Sequence, residues 1–109
     1  MKPVRVGIIG TSWWADAMYL PALKNHPRAR MEAVAGRNPE TTRKFASRWE
    51  IPRHYEDADE LIEKAQIDAL IIATGNESHC PLTLKAIGQG LHVLCEKPLG
   101  LSYPEASKM

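Results

Sequence analysis

Residues 4–15 read VRVGIIGTSWWA, a β-branched run that stops at a glycine and passes at once into a run with helical spacing. The run over 4–9 predicts a buried strand, because it is apolar except at Arg5. Gly10 ends this strand, and Trp14, Ala15 and Met18 then follow at the spacing of one helix face. The chain therefore opens on a strand, a tight turn and a helix.

The same order of elements repeats along the chain. The pattern predicts further strands over 31–35, 53–55, 68–73 and 92–95. It predicts helices after Asn38-Pro39, over 58–65, over 81–87 and from Ser102 to the last residue. Asn38 is a good helix-capping residue, and Ser102 with Glu105 has the spacing of a capping box. Five strands that alternate with helices, without a hairpin signal, predict an α/β fold with a doubly wound parallel sheet.

Composition, net charge and cysteine spacing favour a globular domain and argue against nucleic-acid-binding, membrane-spanning and zinc-binding proteins. The chain has 109 residues, 44% hydrophobic and 25% charged, which is typical of one globular domain. A net charge of +1 provides no basic field for nucleic acid, and no apolar run has the length that crosses a membrane. Cys80 and Cys95 lack the spacing of a zinc site, so we expect no metal. With no signal peptide pattern, the expected location is the cytoplasm.

The first turn lies where dinucleotide-binding folds carry G-x-G-x-x-G/A. It reads Gly10-Thr11-Ser12-Trp13, so a serine replaces the second glycine. Ser12 either tilts the loop or adds its hydroxyl as a phosphate donor. We interpret the turn as a phosphate site, the alternative being a tight turn that binds nothing. Trp13 either lines the cofactor cleft or covers the turn, and Trp14 is expected in the core.

The end of the second strand indicates the cofactor. It reads Gly36-Arg37 and carries no acid for ribose hydroxyls; Glu32 lies inside the strand and is interpreted as structural. An arginine here can bind a 2′-phosphate through two hydrogen bonds. The sequence therefore favours NADP, with NAD as the second candidate and a solvated surface Arg37 as the alternative interpretation.

Polar groups also follow the fourth and fifth strands. The first loop runs from Thr74 through Gly75 and Asn76 to His79, and the second carries Glu96 and Lys97. Ligands of open α/β sheets bind at this edge. A lysine there can donate to a substrate oxygen as charge develops during hydride transfer, the alternative being a surface salt bridge.

Two segments carry a resemblance to a known family, ATGNESH at 73–79 and GLHVLCEKPL at 90–99. Through them, the sequence closely resembles the N-terminal half of the Gfo/Idh/MocA family of NAD(P)-dependent oxidoreductases. The resemblance covers residues 4–109. It implies a Rossmann-like domain in which Lys97 lies by the nicotinamide and substrate, and in which Thr74, Asn76 and His79 contact the cofactor. Gly75 stands where this family usually has proline.

The resemblance also implies what a complete protein contains. Family members are longer, with a last Rossmann strand and a C-terminal substrate domain, so residues 1–109 are expected to be an incomplete dinucleotide-binding domain that is inactive alone. The implied function is hydride transfer between NADP(H) and a sugar, polyol or related carbonyl or hydroxyl substrate by a protein that is a homo-oligomer at full length. The alternative is a non-catalytic nucleotide-binding or interaction module derived from this fold.

Overall fold

The computed structural model describes residues 2–109, whose strands form one parallel sheet. The strands are β1 Val4–Ile9, β2 Ala29–Ala35, β3 Arg53–Tyr55, β4 Ala69–Ile72 and β5 His92–Cys95. They pair in the order β3-β2-β1-β4-β5. The chain thus winds to one side from β1 to β3 and crosses to the other side at β4, which is the doubly wound topology. The predicted fold class is confirmed.

Helices occupy every connection between the strands. A π-helical turn, Ala15–Tyr19, runs into α1 Leu20–Lys24; α2 is Pro39–Arg48, α3 is Ala58–Lys64, α4 is His79–Gly88 after a 3₁₀ turn at Asn76–Ser78, and α5 is Tyr103–Lys108. None of the helices within residues 2–109 has the length and apolar character that a membrane span requires.

Some element boundaries differ from the predicted ones. Strand β2 begins two residues earlier than predicted because Ala29 pairs with Val4 at the start of β1. Helix α4 begins at His79 and includes Pro81 in its first turn, where the missing N–H costs nothing. The carboxamide oxygen of Asn38 accepts a hydrogen bond from the Thr41 N–H at 3.0 Å, which confirms the predicted cap of α2.

The core lies on both faces of the sheet. Successive residues of β1 point to opposite faces, so Ile8 packs in one cluster with Leu20 and Val34 while Ile9 packs in the other with Leu61. All of these side chains are buried. A sheet covered on both faces leaves only its edges and strand ends open, and it is the carboxyl ends that form the site described below.

One ion pair connects β1 to the start of β4. The Arg5 guanidinium donates to both carboxylate oxygens of Asp68, at 3.1 Å from Nε and 3.0 Å from Nη2, and the Arg5 backbone N–H donates at 2.9 Å. These hydrogen bonds lower the pKa of Asp68 from 3.8 to about 2. Because the pKa is lower in the folded chain, the ionised carboxylate stabilises the fold above pH 3.8, and that contribution is lost as the pH falls towards about 2.

We expect Asp68→Asn to lower the free energy of unfolding at neutral pH and to flatten its decline between about pH 4 and pH 2, because the variant has no carboxylate to protonate. Urea denaturation over a pH series measures both effects. Glu60→Gln, which removes a carboxylate paired with Lys64 on the surface of α3, is the matched control. An unchanged acid slope in Asp68→Asn would contradict the assignment.

Candidate functional site

A cavity of about 780 Å³ opens at the carboxyl ends of the strands. It lies where β1 and β4 are neighbours and the chain winds away in opposite directions. Its volume is in the usual range for sites that bind small molecules. Sequence-predicted site residues that line it are Gly10, Thr11, Ser12, Gly36, Arg37, Thr74, Gly75, Asn76, Glu96 and Lys97.

The glycine turn forms the floor of this cleft. Gly10 has a φ of +113°, and a Cβ placed on it would overlap the carbonyl oxygen of Ala73 and lie 2.8 Å from its carbonyl carbon. Only glycine fits there, for both reasons. Within residues 2–109, the backbone N–H groups of Thr11 and Ser12 have no hydrogen-bond acceptor. Two open N–H donors beside a strand end suit a phosphate oxygen.

Ser12 caps the helical segment that follows the turn. Its hydroxyl oxygen accepts from the Ala15 N–H at 3.3 Å, and its carbonyl oxygen accepts from the Asp16 N–H at 3.1 Å. An oxygen that accepts in this way still has its own proton to donate. The serine at the second glycine position therefore holds the helix start and also offers a hydroxyl donor to the cleft.

Packing excludes a side chain at residue 36. A Cβ on Gly36 would lie 2.5 Å from the Thr42 hydroxyl oxygen and 3.0 Å from the Thr11 methyl carbon. Thr42 is fully buried and its hydroxyl donates to the Asn38 carbonyl oxygen at 2.8 Å, so it has little freedom to move. Packing therefore disfavours an acid at residue 36, directly after β2.

Arg37 reaches across the cleft to the β4 side. Its Nη2 lies 3.2 Å from the Glu77 carboxylate, and the two side chains are 85% and 64% exposed. The Glu77 carboxylate also accepts a hydrogen bond from its own backbone N–H, and this bond and the Arg37 pair lower the pKa of Glu77. Arg37 is therefore paired with the Glu77 carboxylate, whereas the sequence indicated a guanidinium that binds a phosphate or is solvated.

Glu96 is held by two aromatic residues. Trp14 donates from Nε1 to the Glu96 carboxylate at 2.9 Å, and the Tyr19 hydroxyl donates to the same oxygen. The Tyr19 hydrogen bond is the main reason that the pKa of Glu96 is lowered. Partial burial, and then the nearby carboxylate, raise the pKa of Tyr19. The expectation that Trp14 is a core residue was wrong, since it is 42% exposed and lines the cleft.

The shared contact of Trp14 and Tyr19 with Glu96 was not predicted, because it depends on the type of helix that Ala15–Tyr19 forms. The two residues are five positions apart, which places them on different faces of an α-helix. They reach one carboxylate here because Ala15–Tyr19 is π-helical, a form with i→i+5 hydrogen bonds that is frequent at functional sites. Periodicity in the sequence contains no signal for that change of pitch.

The Lys97 ammonium forms no salt bridge or side-chain hydrogen bond with the part of the chain that the structure describes. Its neighbour Glu96 accepts from the Lys97 backbone N–H at 3.2 Å, in addition to Trp14 and Tyr19. The carboxylate next in sequence is thus engaged elsewhere, and Lys97 is one of the residues that line the cleft. The alternative interpretation of Lys97 as a surface salt bridge does not describe this structure.

His79 and Trp13 do not line the cleft. His79 is fully buried, with Nδ1 2.6 Å from the Pro98 carbonyl oxygen and Nε2 3.1 Å from the Thr74 carbonyl oxygen. It therefore connects the two loops that carry Thr74 and Lys97, and the direct cofactor contact that the resemblance implied stays a prediction. Trp13 is 74% exposed and borders a separate depression beside α2, and a contact of Trp13 with a cofactor stays a prediction.

Three acidic residues that were not predicted as site residues line the cleft on its β3 side. They are Glu56, Asp57 and Asp59. Asp57 caps α3 by accepting from the Asp59 N–H at 3.1 Å, and Asp59 pairs with Lys85 at 3.3 Å. Asp57 directly precedes α3 and is of a residue type that favours helix caps, whereas the place of the three acids in the cleft depends on the pairing of β3 with β2. No group of three or more potential metal ligands occurs within residues 2–109.

Comparison with known proteins gives consistent matches over the whole chain. The profile of the Gfo/Idh/MocA family, described as an oxidoreductase family with an NAD-binding Rossmann fold, matches residues 4–109. An uncharacterised oxidoreductase, ORF334, of Rhizobium meliloti is 36% identical over 109 residues, which are 100% of this chain and 33% of the relative. The NADP⁺-dependent scyllo-inositol 2-dehydrogenase IolU of Bacillus subtilis is 30% identical over 106 residues, or 97% of this chain and 32% of the relative.

Solved structures of other proteins superpose on nearly the whole chain. The 3-ketoreductase KijD10 of Actinomadura kijaniata, in complex with NADP and TDP-benzene, superposes with a TM-score of 0.91 at 32% identity, over 98% of this chain and 33% of that one. Biliverdin reductase of Synechocystis, with biliverdin and NADP⁺, gives a TM-score of 0.90 at 33% identity over the same shares. The chain spans about a third of the length of these proteins.

We expect Tyr19→Phe to raise the pKa of Glu96, because the variant removes the hydrogen bond that most favours the ionised carboxylate. The pKa is measured from the side-chain carboxyl carbon resonance in an NMR titration. Tyr103→Phe, which changes a tyrosine that is 83% exposed, is the control and should leave the titration unchanged. A Glu96 pKa that does not move in Tyr19→Phe would show that the tyrosine does not hold the carboxylate.

Proposed function

The chain belongs to the Gfo/Idh/MocA oxidoreductase family, and on that basis we propose that it is the NADP-binding domain of an enzyme that transfers hydride between NADP(H) and a sugar, polyol or related carbonyl or hydroxyl substrate. One observation carries the proposal. The open N–H groups of the glycine turn, the Arg37 guanidinium and the Lys97 ammonium all border one cleft at the β1/β4 crossover.

Each part of the cleft suits one part of the cofactor. The Thr11 and Ser12 N–H groups would hold the pyrophosphate, over a floor that Gly10 keeps free of side chains. Arg37 would bind the 2′-phosphate, and Gly36 admits no carboxylate that would repel it. Thr74 and Asn76, on the loop after β4, would bind the nicotinamide half. NADP supplies the hydride when bound.

Lys97 would act on the substrate. Lys97 lines the cleft, and its ammonium has no carboxylate partner among residues 2–109, so it would be able to donate a proton or hydrogen bond to the oxygen of the reacting carbon. His79 would act indirectly, because its hydrogen bonds to Thr74 and Pro98 fix the loop that carries Lys97.

The substrate class rests on the relatives. They include a 3-ketoreductase of a deoxysugar nucleotide and a scyllo-inositol 2-dehydrogenase, which act on a sugar and on a polyol. The chain spans about a third of such proteins, which supports residues 1–109 as a cofactor domain that needs a separate substrate domain for turnover. The 109-residue chain alone should therefore bind nucleotide without catalysing hydride transfer.

We also propose that the whole protein acts in the cytoplasm as a homo-oligomer. Two free cysteines suit a reducing compartment. Leu99, Leu101 and Tyr103 expose 49%, 60% and 83% of their surfaces, which supports a covering surface from another domain or subunit. Light scattering of the full-length gene product and its distribution between cell fractions test these two points.

We expect the chain to bind NADP about tenfold more tightly than NAD, because Arg37 can form a charge-assisted hydrogen bond with the 2′-phosphate. The preference is no larger because Arg37 is exposed, which weakens that bond. Isothermal titration calorimetry measures both affinities. Arg37→Met should bring them to near equality, whereas Arg43→Met, which changes an exposed arginine of α2 outside the cleft, should keep the preference. Equal affinities in the unaltered chain would contradict the choice of NADP.

In the full-length gene product, we expect Lys97→Met to lower kcat about 10²- to 10⁴-fold on a panel of sugars and polyols, with a much smaller change in NADP affinity. Turnover is followed by NADPH absorbance, and Lys108→Met is the control. Full activity of Lys97→Met would remove its catalytic role. A wild-type protein that binds NADP but reduces or oxidises nothing would favour a non-catalytic nucleotide-binding module.

A further inference from the structure

We propose that Glu77 is a specificity-determining residue of this cleft: its carboxylate competes with the nucleotide 2′-phosphate for Arg37 and so limits the preference for NADP. The inference rests on the proposed function, because it takes the cleft as the site of the nucleotide. It goes beyond that function by assigning a role to a residue outside the glycine turn and the Lys97 loop.

The position of the ion pair supports this role. Arg37 follows β2, and Glu77 lies in the 3₁₀ turn Asn76–Ser78 that follows β4. Strand β1 lies between β2 and β4 in the sheet, so the contact between Arg37 Nη2 and Glu77 Oε1, 3.2 Å long, spans the glycine turn at the end of β1. This contact engages one Nη2 donor of the guanidinium and draws it towards the β4 side, so the carboxylate competes with a phosphate on the β2 side for the same cation.

Gly75 provides the space that Glu77 occupies. A Cβ on Gly75 would lie 2.6 Å from Glu77 Oε1 and 2.9 Å from Oε2. The backbone of Gly75, with φ −61° and ψ 151°, is one that any residue can adopt. The glycine therefore leaves room for the present position of the Glu77 carboxylate, and a Cβ there would displace the end of that side chain.

The exposure of the pair sets the size of the effect. Both side chains are more than half exposed, and exposed ion pairs are weak. A 2′-phosphate carries more negative charge than a carboxylate and can accept two hydrogen bonds from one guanidinium. Glu77 should therefore reduce the affinity for the 2′-phosphate by about two- to fivefold without preventing binding.

The test compares two fragments of the cofactor that differ only in the presence of the 2′-phosphate. The probes are 2′,5′-ADP and 5′-AMP, titrated into the 109-residue chain by calorimetry at low ionic strength. We expect Glu77→Gln to tighten binding of 2′,5′-ADP by about two- to fivefold and to leave 5′-AMP nearly unchanged. Gly75→Ala, which displaces the carboxylate without removing it, should shift the ratio in the same direction.

Two further variants show whether the effect passes through Arg37. In an Arg37→Met background, Glu77→Gln should no longer change the ratio of the two affinities. Glu60→Gln removes the same charge from an ion pair with Lys64 outside the cleft, and it should leave the ratio unchanged.

Other outcomes overturn the inference. An equal gain for both probes would assign the effect to general charge, and a loss for both would make the ion pair a clasp that holds the nucleotide. An effect that persists in Arg37→Met would act through another group. If the unaltered chain binds neither probe, the proposed function fails together with this inference, whereas binding with an unchanged ratio in Glu77→Gln refutes the inference alone.

Discussion

The close approach of β1 and β4 at their carboxyl ends is the constraint on which the site depends. Gly10 touches the Ala73 carbonyl because it has no side chain, and its positive φ turns the chain away from the sheet at that point. The loops after β1 and β4 are therefore held side by side, and the cleft forms above them. A larger residue at position 10 would separate the two strand ends and with them the loops that carry Thr11 and Thr74.

Most of the fold and much of the cleft could be predicted because both follow from short-range rules. β-Branched runs, glycine stops and the Asn38 cap gave the strand and helix order, and parallel strands place their carboxyl ends at one edge. Every loop that follows β1, β2, β4 or β5 was thereby assigned to the site. Element ends were less accurate, as at Ala29, because strand length is decided by the partner strand.

The errors arose where tertiary structure decides a side chain's partner. A π-helical turn brought Trp14 and Tyr19 to one carboxylate, against the α-helical periodicity used to place Trp14 in the core. The two hydrogen bonds of the buried His79 to backbone carbonyls of different loops were likewise not predicted, while its contact with a cofactor stays a prediction. The ion pair of Arg37 with Glu77 joins residues 40 positions apart, which no local pattern encodes.

The charges around the cleft are compatible with the proposed binding of a polyphosphate, although acidic residues outnumber basic ones along its lining. Among these acids, Asp57 accepts from a helix N–H, Asp59 pairs with Lys85, and Glu96 is held by Trp14 and Tyr19. A carboxylate with its own donors repels a bound anion less than an unpaired one, because the donors offset its field. Under the proposed function, attraction for the phosphates would come from the open N–H groups of the glycine turn and from Arg37. Affinity for the cofactor would accordingly depend more on backbone geometry at Gly10 than on the sum of side-chain charges.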